Sequence, residues 1–141
     1  HCRLPIMRVD GLFANVVFAD EKHDLLILRV EDFNKPALSP SSQQITRGTP
    51  LGALGFAYSL RSPLLQIGVA AGSEIYLNYY PGLKWLVFDK PFIGGMSGGP
   101  IFDIYGDVVG IIQRSDEATG LGQSVWDILK VTGKYWEVPC G

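Results

Sequence analysis

The sequence predicts an all-β protein made of two packed antiparallel β-barrels, the first of them truncated, followed by a short C-terminal helix. Short apolar segments recur along the 141 residues, and 17 glycines and 9 prolines are spread between them. This spacing is typical of many short strands joined by tight turns, as in antiparallel barrels. A chain of this length can bury one sizeable core or two small ones that share an interface.

Eight segments are predicted as strands, because each is a short apolar run bounded by turn residues. Residues 12–18 and 25–30 form a hairpin with a polar turn at 19–23. The remaining strands are predicted at 51–55, 64–69, 74–79, 84–88, 100–104 and 108–113.

A stretch rich in proline, serine and glutamine at 35–44 predicts the link between the two barrels. We therefore expect a partial N-terminal β-barrel over residues 1–46 and a C-terminal β-barrel over residues 47–141. Near the end of the second domain, three apolar residues at helical spacing predict a helix over 124–130; they are Val125, Ile128 and Leu129.

Charge and hydropathy exclude several classes of partner. The formal net charge is −2 and no dense cluster of lysine and arginine occurs, so the sequence predicts no surface for nucleic acid. No apolar run approaches the length needed to cross a bilayer. With 47% hydrophobic and 18% charged residues, the composition is that of a folded globular chain.

The run Gly-Gly-Met-Ser-Gly-Gly-Pro at residues 94–100 carries the clearest chemical signal. Glycine permits backbone angles that other residues avoid, so this run can turn tightly and approach another molecule closely. Ser97 can act there as a nucleophile, with neighbouring backbone N–H groups facing the oxygen that becomes negative during acyl transfer. The alternative is a glycine-serine turn that only joins two strands.

The same run resembles the Gly-x-Ser-Gly-Gly-Pro nucleophile motif of chymotrypsin-fold serine proteases. As in that family, an apolar strand, a tight turn at Tyr105-Gly106-Asp107 and a second strand follow it. The resemblance implies barrels of the chymotrypsin type and a serine endopeptidase that hydrolyses a polypeptide substrate. It also implies a triad in the chain order histidine, aspartate, serine, with no cofactor and no metal.

Asp24 is the candidate triad aspartate. It begins the run Asp-Leu-Leu-Ile-Leu-Arg-Val, which resembles the Asp-Leu-Ala-Leu-Leu-Lys-Val signature of HtrA-type trypsin-like proteases. The alternative is an aspartate that ends a turn by bonding its own backbone. Looser matches extend the resemblance over about residues 9–125; they lie at 47–56, 65–72 and Asp89.

Two histidines are candidates for the general base, His1 and His23. His1 precedes Cys2, which resembles the family's Ala-Ala-His-Cys motif, and it gives the expected triad order. His23 adjoins Asp24, and neighbouring side chains of an extended strand point to opposite faces, so we expect a solvated turn histidine there. The alternative for His1 is a terminal residue without a role.

The resemblance assigns a role to each of these residues. Ser97 attacks the scissile carbonyl, His1 takes and returns the proton, and Asp24 orients the imidazole. The backbone N–H groups of Gly95 and Ser97 form the oxyanion hole. The residues expected to bind substrate are Pro91, Phe92, Gln113, Arg114 and Ser115.

Two positions refine this expectation. No acidic residue stands at the base of the expected substrate pocket, so a small or medium apolar residue is predicted before the scissile bond. Met96 stands where animal digestive proteases carry an aspartate that pairs with a newly cleaved N-terminal amine. Because methionine cannot form that ion pair, activation by N-terminal insertion is not expected.

The two cysteines, Cys2 and Cys140, lie near opposite ends of the sequence. A bridge between them would close nearly the whole chain and would indicate an extracellular or periplasmic location. Two free thiols are the alternative. Two further interpretations of function also remain open: a catalytically inactive, protease-like binding domain, and a structural β-barrel domain such as a viral one.

Overall fold

The computed structural model describes residues 7–77 and 80–132, which form antiparallel sheets and one short helix. The chain separates into two compact units, with the first ending at Ala37 and the second beginning at Leu38. His1, Cys2 and Cys140 lie outside the described residues. The predicted all-β class with a C-terminal helix is confirmed, and whether 1–46 and 47–141 fold as domains stays a prediction.

The first unit is a three-stranded antiparallel sheet in the order β1-β2-β3. The predicted hairpin is confirmed, and its first strand runs two residues further than expected. Leu25 is buried, whereas Phe13 is 64% exposed. The strands are β1 (Met7–Val9), β2 (Leu12–Asp20) and β3 (Leu25–Val30).

An aspartate organises the turn between β2 and β3. The Asp20 carboxylate accepts the His23 backbone N–H at 3.2 Å and lies 2.7 Å from the His23 Nδ1 atom. The hydrogen bond from the His23 side chain lowers the pKa of Asp20 below its usual range. The turn ends at Asp24, whose N–H donates to the Glu21 carbonyl at 3.3 Å.

The second unit is a seven-stranded antiparallel sheet in the order β5-β4-β8-β9-β10-β7-β6. An antiparallel bridge between Ala70 and Phe88 joins the end of β5 to the end of β7, so the sheet curves round. Neither sheet is a closed barrel among the described residues. The strands are β4 (Pro50–Gly55), β5 (Leu64–Val69), β6 (Ile75–Leu77), β7 (Tyr80–Phe88), β8 (Pro100–Phe102), β9 (Val108–Ser115) and β10 (Gly120–Ser124).

The hydrophobic core of the second unit is drawn from most of its strands. Its central members are all 2% exposed or less, which is the level of a close-packed interior. The helix α1 (Val125–Thr132) adds Val125 and Ile128 to the buried set. No helix among the described residues is long and apolar enough to span a bilayer. The central core residues include Leu86, Phe88, Ile101, Val109 and Ile112.

Strand β10 was not predicted, and its glycines explain why. Glycine has a low strand propensity, so the sequence Gly-Leu-Gly-Gln-Ser gives little strand signal. Here both glycines are required by close packing. A Cβ on Gly120 would lie 2.5 Å from the Phe92 ring, and one on Gly122 would lie 2.3 Å from the Ile101 side chain.

Part of the predicted link packs against β9 and belongs to the second unit. The Ser41 N–H donates to the Val108 carbonyl, and the Val108 N–H donates to the Ser39 carbonyl, each at 2.8 Å. The buried Ser41 hydroxyl donates to the Asp103 carboxylate. That carboxylate also accepts two N–H groups of the turn before β9, from Tyr105 and Asp107.

The glycine turn (residues 94–99) lies directly against β4. A Cβ on Gly99 would come within 2.1 Å of the Leu54 carbonyl oxygen, and one on Gly55 within 2.9 Å of the Met96 Cα. Both contacts are with backbone atoms, which cannot move aside cheaply. The position of the turn therefore depends on the absence of side chains at these two residues.

Gly99→Ala should destabilise the protein by about 1–3 kcal/mol, because the added methyl overpacks the contact with β4. Gly72→Ala is the matched control, since nothing lies within 4 Å of the added Cβ. We expect the control to be as stable as the parent or more stable by about 0.4–1 kcal/mol. Urea unfolding of the parent and the two variants measures both changes in stability. Equal stability of the two variants would contradict the close contact between Gly99 and β4.

Asp20→Asn should weaken the dependence of stability on acid pH. A carboxyl whose folded pKa is lowered stabilises the fold above its unfolded pKa and loses that contribution as pH falls through the folded pKa. We expect the variant to lose about 0.5–1 kcal/mol near neutral pH, and its stability to converge with that of the parent once the pH is below the folded pKa of Asp20. Unfolding at several pH values tests this, with Glu21→Gln as the control, and a difference independent of pH would oppose it.

Candidate functional site

Ser97 lies in the glycine turn, which β9 fixes from one side. The Gly98 N–H donates to the Ile112 carbonyl, and the Ile112 N–H donates to the Gly99 carbonyl, each at 2.8 Å. The Ser97 side chain is exposed, and its hydroxyl donates to the Gln113 carbonyl at 3.3 Å. This long bond leaves the hydroxyl oxygen accessible from solvent.

The neighbour of Ser97 anchors the turn in the core. Met96 is 1% exposed, and its N–H donates to the Ile93 carbonyl at 3.2 Å. Its carbonyl accepts the Gly99 N–H at 3.0 Å. Met96 therefore acts as an apolar anchor. Animal digestive proteases, by the resemblance, carry an aspartate at this position.

Two backbone N–H groups of the glycine turn, those of Gly95 and Ser97, have no acceptor among the described residues. Within residues 7–77 and 80–132, neither the Gly95 N–H nor the Ser97 N–H donates to a backbone or side-chain acceptor. Gly95 has a φ of 94°, a conformation that favours glycine. Within three residues, the turn thus presents one exposed hydroxyl and two N–H groups that no described residue accepts.

The peptide group before Gly95 has a partner that the sequence did not predict. The Gly94 carbonyl accepts the Tyr58 N–H at 2.8 Å, from the 3-10 turn Ala57–Ser59 that follows β4. Tyr58 itself has a φ of 52°. No sequence signal could have identified this contact, because tyrosine does not favour a left-handed backbone.

The residues expected to bind substrate lie on both sides of the Ser97 turn, and one of them is buried. Phe92 is only 8% exposed, stacks on Phe88 at 5.0 Å between ring centroids, and donates its N–H to the Ser115 hydroxyl at 2.7 Å. Pro91 and Arg114 are exposed. The structure brings Phe92 together with Ser115, and Ser97 together with Gln113.

Asp89, one of the looser matches to HtrA-type proteases, forms hydrogen bonds with backbone groups on the free edge of β5. Its carboxylate accepts the Val69 N–H at 3.2 Å, and its own N–H donates to the Val69 carbonyl at 3.0 Å. Lys90 donates its ammonium to the Ile67 carbonyl at 2.8 Å. Satisfying the backbone groups of an edge strand in this way blocks its pairing with another chain.

The other predicted triad residues belong to the first unit or lie outside the described residues. Asp24 is exposed, has a φ of 54° and immediately precedes β3. His23 is engaged by Asp20 in the same turn, and His1 is outside the described residues. No group of three metal-binding side chains occurs within the described residues.

Comparison with known proteins identifies the family. A family model described as "Trypsin-like peptidase domain" matches residues 10–111. A probable periplasmic serine endoprotease, DegP-like, from Hahella chejuensis is 34% identical over 106 residues, which are 71% of this chain and 21% of that protein. The chain thus spans about a fifth of the length of the curated relatives it matches.

Solved structures show the same fold. The active form of the Rv3671c protease from M. tuberculosis superposes with a TM-score of 0.78 at 21% identity, covering 90% of this chain and 61% of that one. The HtrA-type protease AlgW with a decapeptide gives a TM-score of 0.76 at 21% identity, covering 89% and 41%. The family resemblance inferred from the glycine turn and Asp24 is therefore confirmed. This chain belongs to the trypsin-like peptidase family, and its sequence is similar to DegP-like serine endoproteases.

Proposed function

We propose that this chain is a serine endopeptidase domain in which Ser97 is the nucleophile. The observation that carries the proposal is the glycine turn, where an exposed hydroxyl adjoins two N–H groups without an acceptor in the described chain. A buried peptide N–H normally has an acceptor within the protein. An exposed N–H beside a nucleophile can instead donate a hydrogen bond to the carbonyl oxygen of a substrate. The relatives named serine endoproteases support the same reaction.

In the proposed mechanism, Ser97 Oγ attacks the carbonyl carbon of the scissile peptide bond. The carbonyl oxygen gains negative charge and accepts hydrogen bonds from the N–H groups of Gly95 and Ser97. Loss of one such donor typically costs about 3–4 kcal/mol of transition-state stabilisation. The scissile C–N bond then breaks, and the amine leaves with the proton that the general base took from Ser97 Oγ. Water attacks the resulting acyl-enzyme, the new carboxylic acid leaves, and the proton returns to Ser97 Oγ.

His1 is proposed as the general base and Asp24 as the residue that orients it. Asp24 is exposed at the start of β3, so its carboxylate is not buried in the first sheet. His23 is a less suitable partner for Asp24, because its Nδ1 atom lies 2.7 Å from the Asp20 carboxylate within its own turn. The chain order His1, Asp24, Ser97 is that of the family's triad.

The proposed substrate is a polypeptide with a small or medium apolar residue before the scissile bond. The AlgW structure, whose description includes a decapeptide, supports a peptide ligand for the fold. Within this chain, the Phe92 ring is buried against Phe88 and contacts Gly120. A bulky aromatic already packed beside Gly120 favours a shallow substrate pocket over a deep one.

Ser97→Ala should abolish both hydrolysis of fluorescein-labelled casein and labelling by a fluorophosphonate. The exposed hydroxyl contributes no core volume, so the free energy of unfolding should change by less than about 0.5 kcal/mol. Ser73→Ala, at another exposed serine of the second unit, is the control and should behave as the parent. A parent protein that is not labelled at Ser97 would instead favour an inactive binding domain or a structural barrel.

His1→Ala should reduce hydrolysis about as much as Ser97→Ala, because triad residues act as a unit. His23→Ala is the matched control and should retain most of the activity. The parent's kcat/KM should rise with pH as the general base loses one proton. If His23→Ala is inactive and His1→Ala is not, the base is His23.

A further inference from the structure

The direction of the Gly95 N–H is set by the other end of its own peptide group. That peptide is trans, as no cis peptide occurs among the described residues, so its C=O and N–H point in opposite directions. The Gly94 carbonyl points towards the Tyr58 N–H, at 2.8 Å. The Gly95 N–H therefore points away from the Ala57–Ser59 turn.

Tyr58 reaches the Gly94 carbonyl through an unusual backbone conformation. Its φ of 52° and ψ of 33° lie in the left-handed region, which large side chains rarely adopt. Burial of the ring does not explain this conformation, because Tyr58 is 76% exposed. Strained backbone of this kind is found most often at functional sites.

The turn that contains Tyr58 is itself fixed. Ala57 is fully buried, and its carbonyl accepts the Leu60 N–H at 2.9 Å. A Cβ on Gly95 would lie 2.8 Å from the Phe56 carbonyl oxygen and 3.0 Å from the Tyr58 nitrogen. The backbone of the turn and the backbone of Gly95 are thus in direct contact, with no side chain between them.

We propose that Tyr58 is a positioning residue for the oxyanion donor Gly95 and that it acts through its backbone N–H. The inference rests on the proposed function, since it names what aligns one of the two donors of that site. The left-handed conformation of Tyr58 places its N–H on the Gly94 carbonyl. If that bond is lost, the Gly94–Gly95 peptide is free to rotate and the Gly95 N–H leaves the site.

Two substitutions separate the backbone role from any role of the ring. Tyr58→Ile keeps a large apolar side chain but resists a positive φ, because its side chain is β-branched. Tyr58→Asn removes the ring but tolerates the left-handed region. We expect kcat to fall about 10–100-fold in the isoleucine variant with KM within about threefold, and to stay within about threefold in the asparagine variant.

Amide hydrogen exchange followed by NMR tests the geometry without requiring turnover. In the parent and in Tyr58→Asn, the residue 58 amide should be protected and the Gly95 amide should exchange quickly. In Tyr58→Ile, protection at residue 58 should be lost, while a spectrum unchanged elsewhere shows that the fold is retained. If the isoleucine variant does not fold, amide exchange at residue 58 in the parent and in the asparagine variant still tests the inference.

The outcomes distinguish this inference from the proposed function. A parent that does not hydrolyse casein counts against the endopeptidase proposal, and the exchange pattern then decides on Tyr58. An unprotected Tyr58 amide in the parent overturns the inference. So does a kcat that falls equally in both variants, because the ring would then carry the effect, or a kcat unchanged in a folded Tyr58→Ile.

Discussion

The close approach of the glycine turn to β4 is the constraint on which the site depends. Backbone meets backbone there, with the Leu54 carbonyl against Gly99 and the Met96 Cα against Gly55. Since no side chain fits between the turn and β4, the distance of the turn from the sheet is fixed. Met96 is then buried while the following residue, Ser97, faces solvent. Exposure of Ser97, the proposed nucleophile, follows from packing of its neighbours.

The sheet adds a second support from the opposite side. The paired hydrogen bonds between Ile112 and the turn extend the β8–β9 pairing to the residues just before the start of β8. The Asp103 carboxylate fixes the connection between these two strands and joins Ser41 to it. A proposed catalytic group on such a scaffold keeps its geometry because the groups around it are rigid before substrate arrives.

The sequence predicted eight of the ten strands found in the described residues, and the motif that defines the family. Residues 25–30 and 64–69 were predicted with their exact bounds, because apolar runs end there at turn residues. Strand β10 was missed, since Gly120 is required by contact with Phe92 and not by strand propensity. The left-handed Tyr58 was also missed, because only its tertiary bond to Gly94 accounts for that conformation. The spacing of apolar and turn residues in a sequence predicts local secondary structure. It does not predict contacts between residues that are distant in the sequence.

The central claim is that Ser97 attacks the scissile carbonyl. Its own N–H and that of Gly95 then donate hydrogen bonds to the carbonyl oxygen as this oxygen becomes negative. The crystal structure of the protein after reaction with a fluorophosphonate tests this directly, because the phosphonyl group imitates the tetrahedral intermediate. The account predicts a covalent bond to Ser97 Oγ and a phosphonyl oxygen within about 3.1 Å of both nitrogens. A phosphonyl oxygen that faces solvent, with the Gly95 N–H turned away from it, would contradict the account.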